Sequence, residues 1–307
     1  MGVDLSISLG GVRLANPVVT ASGCFGSGKE MSRFVDLKTL GAVVCKTVTP
    51  EARLGISPPR GAETASGMLN AIGLQNPGVE VFRDNDLTWL AEHNIPAIAS
   101  VGGHSVADYV RCVEALRGAP GLTAIEMNLS CPNLEDRGFM FALSAERTAE
   151  VTAAARAAAD VPLFCKLSPD VTDLVAIAEA TVGAGADGLS LINTTLGMAI
   201  DPHTFRARLS TGTGGLSGPA IKPIAIRCVW QVHRALPHVP IIGMGGVAGV
   251  EDAIEFILAG ATAVAVGTAN FYDPSATETI ARGLLDFCNM HGITSLDEIR
   301  GQVKIEG

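Results

Sequence analysis

An α/β chain closed into a (β/α)8, or TIM, barrel is the architecture this sequence predicts, and three observations predict it. Eight short apolar runs recur along the 307 residues, each ending in Gly, Asn, Ser or Thr. Segments with the 3.6-residue period of amphipathic helices lie between most of them. The runs lack strict polar–apolar alternation, which marks strands covered on both faces and hence a parallel sheet. Eight such units match a closed barrel rather than an open sheet.

Composition agrees. Hydrophobic residues make up 48% and charged residues 17%, which excludes a disordered chain. The 35 glycines and 5% aromatics imply a core of small and branched aliphatics joined by tight turns. No linker, repeat or charge run divides the chain, so one domain over residues 1–307 is expected. The net charge is −9 and there is no long basic run, which argues against a nucleic-acid partner. No uncharged apolar run reaches the roughly 18 residues of a membrane span.

The elements follow in order. Residues 5–9 and 12–14 alternate around Gly10-Gly11, an N-terminal hairpin signal. The eight runs are residues 17–22, 42–47, 96–101, 124–129, 162–167, 188–193, 240–245 and 263–267. Helical spacing covers residues 106–116, 145–159, 174–183, 220–235 and 250–259. Ser144 and Gly260 stand where a helix start and a helix stop are expected. Residues 48–78 and 130–143 are long segments with little periodicity. Both follow strand ends, where a barrel of this kind carries its active site, so both are expected to be active-site loops.

Four sets of residues could carry chemistry. The first is the glycine run from Gly243 to Gly249, with Gly267-Thr268 closing the next strand. Loops after the seventh and eighth strands commonly hold a phosphate on backbone N–H groups and a helix N-terminus. A dinucleotide fingerprint is the rival, but it needs a carboxylate at the end of the next strand, and the first one available is Asp273. Plain tight turns are the third reading. The second set is Lys46 and Lys166, each at the end of an apolar run. A buried ammonium needs an acidic partner or an anionic ligand. Two at equivalent strand ends favour a shared ligand.

The third set is Asn70, Asn128, Asn133 and Asn193. Their amides offer donors and acceptors to a flat ligand with N–H and C=O edges, although any one of them could be a turn residue. The fourth is Cys131, just past a strand on the Pro-restricted stretch Asn128-Leu129-Ser130-Cys131-Pro132-Asn133. It could be a nucleophile, a base or an inert thiol. The other six cysteines read as packing residues. No two of the seven have CxxC spacing and no histidine pair has ligand spacing, so no metal site is expected and the chain reads as a reduced, cytoplasmic protein.

These residues reach a family. The chain resembles the class 1 dihydroorotate dehydrogenases, most closely the FMN-bearing catalytic subunit of the B type, almost end to end. The resemblance is carried by Ala21-Ser22-Gly23-Cys24-Phe25-Gly26, by the stretch from Gly67 to Gly78 that includes Asn70-Ala71-Ile72-Gly73-Leu74, and by Asn128 to Asn133. Leu191-Ile192-Asn193-Thr194, the stretch from Gly214 to Pro223, and Ile242-Gly243-Met244-Gly245-Gly246 complete it.

The resemblance implies oxidation of (S)-dihydroorotate to orotate in pyrimidine biosynthesis. Cys131 would take the C5 proton while hydride passes from C6 to flavin N5. Lys46 would serve both catalysis and binding. Ser22, Lys46, Thr47, Ser100, Asn128, Lys166, Ile192, Gly218, Gly245, Gly246, Gly267 and Thr268 would hold FMN. Lys46, Asn70, Ala71, Ile72, Gly73, Leu74, Asn128, Asn133, Asn193 and Thr194 would hold the pyrimidine. Ser100 is a departure, because family members often carry Asn there and a hydroxyl replaces only part of an amide's hydrogen bonding. B-type enzymes pair this chain with a subunit carrying FAD and an iron–sulfur cluster that passes electrons to NAD, in a heterotetramer of two of each. A fumarate-using homodimer, another flavin barrel and a non-redox barrel are the competing readings.

Overall fold

The computed structural model describes residues 2–129 and 141–305. All eight predicted runs form strands: Val18–Thr20, Val43–Val44, Ala97–Val101, Leu122–Asn128, Leu163–Leu167, Gly188–Leu191, Ile241–Met244 and Ala263–Val266. They pair in parallel, each beside its sequence neighbour. The first and second strands close the ring through a parallel bridge between Val19 and Ala42. A side chain strengthens that seam. Thr20 Oγ1 accepts from the Val44 N–H at 2.9 Å and donates to the Val44 carbonyl at 3.1 Å. The predicted (β/α)8 barrel is the observed fold.

The five predicted helices form as Val106–Ala115, Ala145–Ala158, Leu174–Gly183, Lys222–Ala235 and Val250–Ala259. Ser144 Oγ accepts the Arg147 N–H at 3.4 Å, and Gly260 ends its helix in the left-handed region with φ of 119°. The periodicity does not reveal two further helical stretches. One runs through Val79–Val81, Phe82–Leu87 and Thr88–Glu92. Its middle segment is wound as a π-helix, so the buried Val79, Phe82, Leu87 and Leu90 fall out of a 3.6-residue period. The other, Ala276–His291, places Thr277 and Cys288 in its buried stripe, which dilutes the apolar signal.

Alternate strand residues divide between two cores. Cys165, Ile125 and Met127 face outward against the helices. Ala124, Phe164, Ile98, Val44 and Ile242 face inward. The hairpin Ile7–Leu9 and Val12–Leu14 joins that inner cluster through Ile7, Leu9 and Leu14. It plugs the N-terminal end of the barrel. A Cβ on Gly10 would sit 3.0 Å from Pro162 Cβ and 3.2 Å from the Phe164 ring, so the turn lies directly on strand five.

Residues 48–78 are not the irregular loop expected. They fold with the segment after strand six into a four-stranded antiparallel sheet of Thr195–Met198, Thr213–Ser217, Gly67–Asn70 and Gly61–Thr64. Glycine permits pairing closer than a side chain would allow. A Cβ on Gly67 would lie 2.0 Å from the Ser217 carbonyl oxygen. Of the second long segment, Phe141–Leu143 forms a 3-10 turn, and the remainder lies outside the described residues. Among the described residues, no helix is long and apolar enough to cross a membrane.

Candidate active site

The C-terminal ends of the barrel strands open into a cavity of about 220 Å³, roofed by the added sheet through Met68, Asn70 and Ser217. A single water needs only about 10–15 Å³ of such space, so the cavity is sized for an organic ligand. Strand ends supply its floor and walls. Ser22 follows strand one, Lys46 and Thr47 follow strand two, Asn128 ends strand four and Lys166 lies near the end of strand five. Ile192, Asn193 and Thr194 follow strand six. Gly245 and Gly246 follow strand seven, and Gly267 and Thr268 follow strand eight. Ile72, Gly73 and Leu74 descend from the added sheet, and Gly218 closes the side.

The asparagines converge as a hydrogen-bonded set. Asn193 Nδ2 donates to Asn128 Oδ1 at 3.0 Å, and Asn193 Oδ1 accepts the Thr194 N–H at 2.8 Å. Asn128 Nδ2 donates to Thr47 Oγ1 at 3.4 Å, and Thr47 Oγ1 lies 2.9 Å from Ser100 Oγ. The Tyr109 hydroxyl donates to the Asn128 carbonyl at 2.7 Å. These bonds orient the two amides. Amides held this way can present N–H and C=O edges to a ligand.

Lys46 and Lys166 share the cavity, as two lysines at equivalent strand ends suggest. Lys166 is only 5% exposed. Cys24 reports their field. Burial pushes its thiol pKa up, while the charges of Lys166 and Lys46 act in the opposite direction.

The far wall is bare backbone. Gly245 and Gly246 take φ of 125° and 88°, a region that L side chains rarely adopt. A Cβ on Gly246 would lie 2.9 Å from the Gly218 carbonyl oxygen, so the two turns touch. Thr268 Oγ1 donates to Ser217 Oγ at 2.8 Å and ties the eighth strand's end to the added sheet.

One expectation about this wall needs correction. The N-terminus of Val250–Ala259 is filled by its own Asp252, which accepts from Ala248 N at 2.8 Å and Gly249 N at 2.9 Å. Asp252 also pairs with Lys222 Nζ at 2.6 Å. Burial pushes the Asp252 carboxyl up, but Lys222 and the two N–H groups outweigh it and hold the pKa below the usual range. The sites left for a phosphate are the glycine turn itself and Gly267-Thr268. The dinucleotide rival fails because the glycine run follows the seventh strand of a closed barrel.

This donor set fits the FMN that the resemblance implies. A glycine-walled cradle at one end suits a phosphate, and lysines with paired amides at the other suit a polar ring. Two expected contacts do not line the cavity. Ser100 is fully buried, and its hydroxyl is taken by Thr47, which stands between it and the opening. Ala71 is buried in a cluster with Leu69 and Leu209. Cys131 and Asn133 lie outside the described residues.

The structure also corrects the reading of Cys24, which lines the cavity beside the lysines instead of packing in the core. Its position in the glycine-flanked stretch after strand one was the available signal. Cys45, Cys112, Cys165, Cys228 and Cys288 are buried, as packing residues should be. Burial pushes Cys112 and Cys165 up to about 12. Met68, Ser217, Phe271 and Tyr272 also line the cavity. Nothing in their local sequence distinguishes them.

Comparison with known proteins agrees with the geometry. Residues 4–288 match the model of the family described as dihydroorotate dehydrogenase. The chain is 50% identical over 298 residues to a protein of Anoxybacillus flavithermus described as dihydroorotate dehydrogenase B (NAD(+)), catalytic subunit, covering 97% of this chain and 95% of that one. Relatives with the same description come from Latilactobacillus sakei, at 54% identity over 93% of this chain and 94% of that one, and Alkaliphilus oremlandii, at 51% over 98% and 99%. Among solved structures, the DHODH of Eimeria tenella in complex with ferulenol is similar in fold. Its TM-score is 0.82 at 24% identity, covering 97% of this chain and 88% of that one.

Proposed function

The chain belongs to the dihydroorotate dehydrogenase family, and on that premise we propose that it oxidises (S)-dihydroorotate to orotate in the B-type, NAD-linked manner. The observation that carries this reading is the convergence of Lys46, Lys166, Asn70, Asn128 and Asn193 with the glycine turns of strands seven and eight in one cavity. FMN, when bound, supplies the acceptor for the hydride leaving C6. The protein's own residues bind, orient and move the proton.

Gly245, Gly246, Gly267 and Thr268 hold the FMN phosphate. Ser22, Lys46, Thr47, Asn128, Lys166, Ile192 and Gly218 hold the rest of the cofactor, with Ser100 acting only through Thr47. Lys166, which lines the cavity, would supply positive charge to the bound cofactor, the kind of preorganised stabilisation that is often the largest catalytic contribution. Asn70, Asn128, Asn193 and Thr194 read the N–H and C=O edges of the pyrimidine, joined by Asn133 and the Ile72–Leu74 turn. Cys131 takes the C5 proton as general base, a role typically worth 10²–10⁴-fold in rate. Electrons leave through a partner subunit carrying FAD and an iron–sulfur cluster, in an assembly of two copies of each chain. That the relatives are named catalytic subunits of an NAD-linked enzyme supports this route.

The test is an anaerobic titration of the FMN-loaded chain with dihydroorotate, followed by NAD with and without the partner. Bleaching of the flavin by dihydroorotate is expected, with reoxidation by NAD only when the partner is present. Cys131→Ala should retain FMN and lose at least about a hundredfold in the rate of bleaching. A purified chain that takes up no FMN would overturn the reading.

A further inference from the structure

Among the described residues, the barrel interior holds a buried ionisable side chain, Glu126, that the proposed reaction leaves unused. Glu126 is completely buried, and neither carboxylate oxygen has a hydrogen-bond partner. Strand alternation fixes its direction. Ala124 on the same strand belongs to the inner core, while Ile125 and Met127 belong to the outer one, so Glu126 points into the barrel. The strand register then places it. Glu126 stands opposite Phe164, and Asn128 stands opposite Lys166, which makes Glu126 and Lys166 diagonal neighbours on the inner face of adjacent strands.

The same layer is polar on both sides. Ser100 is opposite Glu126, and Ser190, whose buried Oγ also has no partner, is opposite Lys166. Lys46 follows the inward-facing Val44 by two residues and lines the cavity. Below this layer the interior is hydrocarbon, from Phe164 and Ala124 down to the hairpin plug.

A lone carboxylate among hydrocarbon side chains would shed its charge, because burying an unpaired ion is expensive. Here two ammonium groups occupy the layer above it. In an interior of low effective dielectric their field reaches it with little screening.

We propose that Glu126 is a buried counter-charge to the lysines of the site and lowers the reduction potential of the bound cofactor. This inference rests on the FMN reading above. A flavin ring gains negative charge on reduction. Two lysines alone would hold that charge tightly and make the electrons hard to pass on. Glu126 offsets part of their field and keeps the cofactor able to donate to the next carrier. It makes and breaks no bond, and acts through the local field.

The experiment is the two-electron midpoint potential of FMN in the native chain and in Glu126→Gln, which keeps the shape and removes the charge. Glu126→Gln should shift the potential positive by at least a tenfold change in the equilibrium, about 30 mV for a two-electron couple. Its FMN content should match the native chain, and Lys166→Met should shift the potential the opposite way. An unchanged or more negative potential in Glu126→Gln overturns the proposal. Should that variant not fold, an infrared difference spectrum of the native protein with 13C-labelled glutamate decides. A carboxylate band that moves on reduction supports the proposal, and a protonated carboxyl band in both states overturns it. A native chain that binds no FMN defeats the flavin reading itself. A native chain with a measurable potential and an indifferent Glu126→Gln defeats only the role of Glu126.

Discussion

The floor and the mouth of the barrel are built from the same strands yet have opposite chemistry. Strand five shows the contrast within three residues. Phe164 points inward onto the hairpin plug, and Lys166 points inward at the cavity. At the floor, glycines make room for hydrocarbon: a Cβ on Gly188 would lie 2.1 Å from the Phe164 ring. At the mouth, glycines expose backbone. The difference teaches that a closed barrel separates stability from chemistry along its axis. The N-terminal end is sealed and apolar, so the open C-terminal end can hold buried charges that would otherwise be costly.

If that division holds, two variants on one strand should fail in different ways. Phe164→Ala should cost about 3–5 kcal/mol of stability, because the ring leaves a cavity that the plug cannot fill. Denaturant unfolding would measure it. The rate of flavin reduction per loaded site should stay within about twofold of native, and a large loss of rate in protein still folded would break the comparison. Lys166→Met should do the reverse. Flavin reduction by dihydroorotate should fall about a hundredfold to a thousandfold, as when a preorganised charge is removed from a transition state. Its Tm should stay within about 4 °C of native, a shift worth roughly 1 kcal/mol at this size.

A third variant sharpens the boundary between the two regimes. Asp252 ties the glycine turn to the helix Lys222–Ala235 from outside the cavity. Asp252→Asn should cost about 1.5–3 kcal/mol at neutral pH, the usual worth of hydrogen bonds to a charged group. Because the folded-state pKa is depressed, this contribution is fully present above the ordinary aspartate value of about 3.9 and is lost as pH falls through the depressed one. Denaturant unfolding of native protein and variant should therefore differ at pH 7 and converge as the pH falls through the depressed folded-state value. A difference that persists in acid would show that the carboxylate charge is not what holds the turn.

Much of this was legible from the residues. The barrel strands are short and doubly buried, and the hairpin has an unambiguous Gly10-Gly11 turn, so all nine features were found within a few residues of their bounds. The added sheet was missed because its strands run through Gly61, Gly67, Gly197, Gly214 and Gly215, where low β-propensity hides pairing that depends on backbone closeness. The π-wound turn at Phe82–Leu87 escaped for a related reason, since its buried positions do not repeat at a helical interval. In the site, Lys46, Lys166, Asn128 and Asn193 were found because polar residues at the ends of apolar strands stand out. Cys24 and the self-capping Asp252 were not found, because what matters about each is its neighbours.

The order of strands and helices, the identity of the polar residues at the strand ends and the position of the glycine turns were determined by the sequence alone. Each is a local property of hydrophobic period, side-chain charge or backbone freedom. The tertiary structure decided which of those residues meet. Closure of the ring brings strands two, four, five and six to face one another across a mouth, and the added sheet roofs it. Only then do two lysines and three asparagines line one cavity. Coulombic and hydrogen-bonding interactions depend on distance through space, which separation along the chain does not encode.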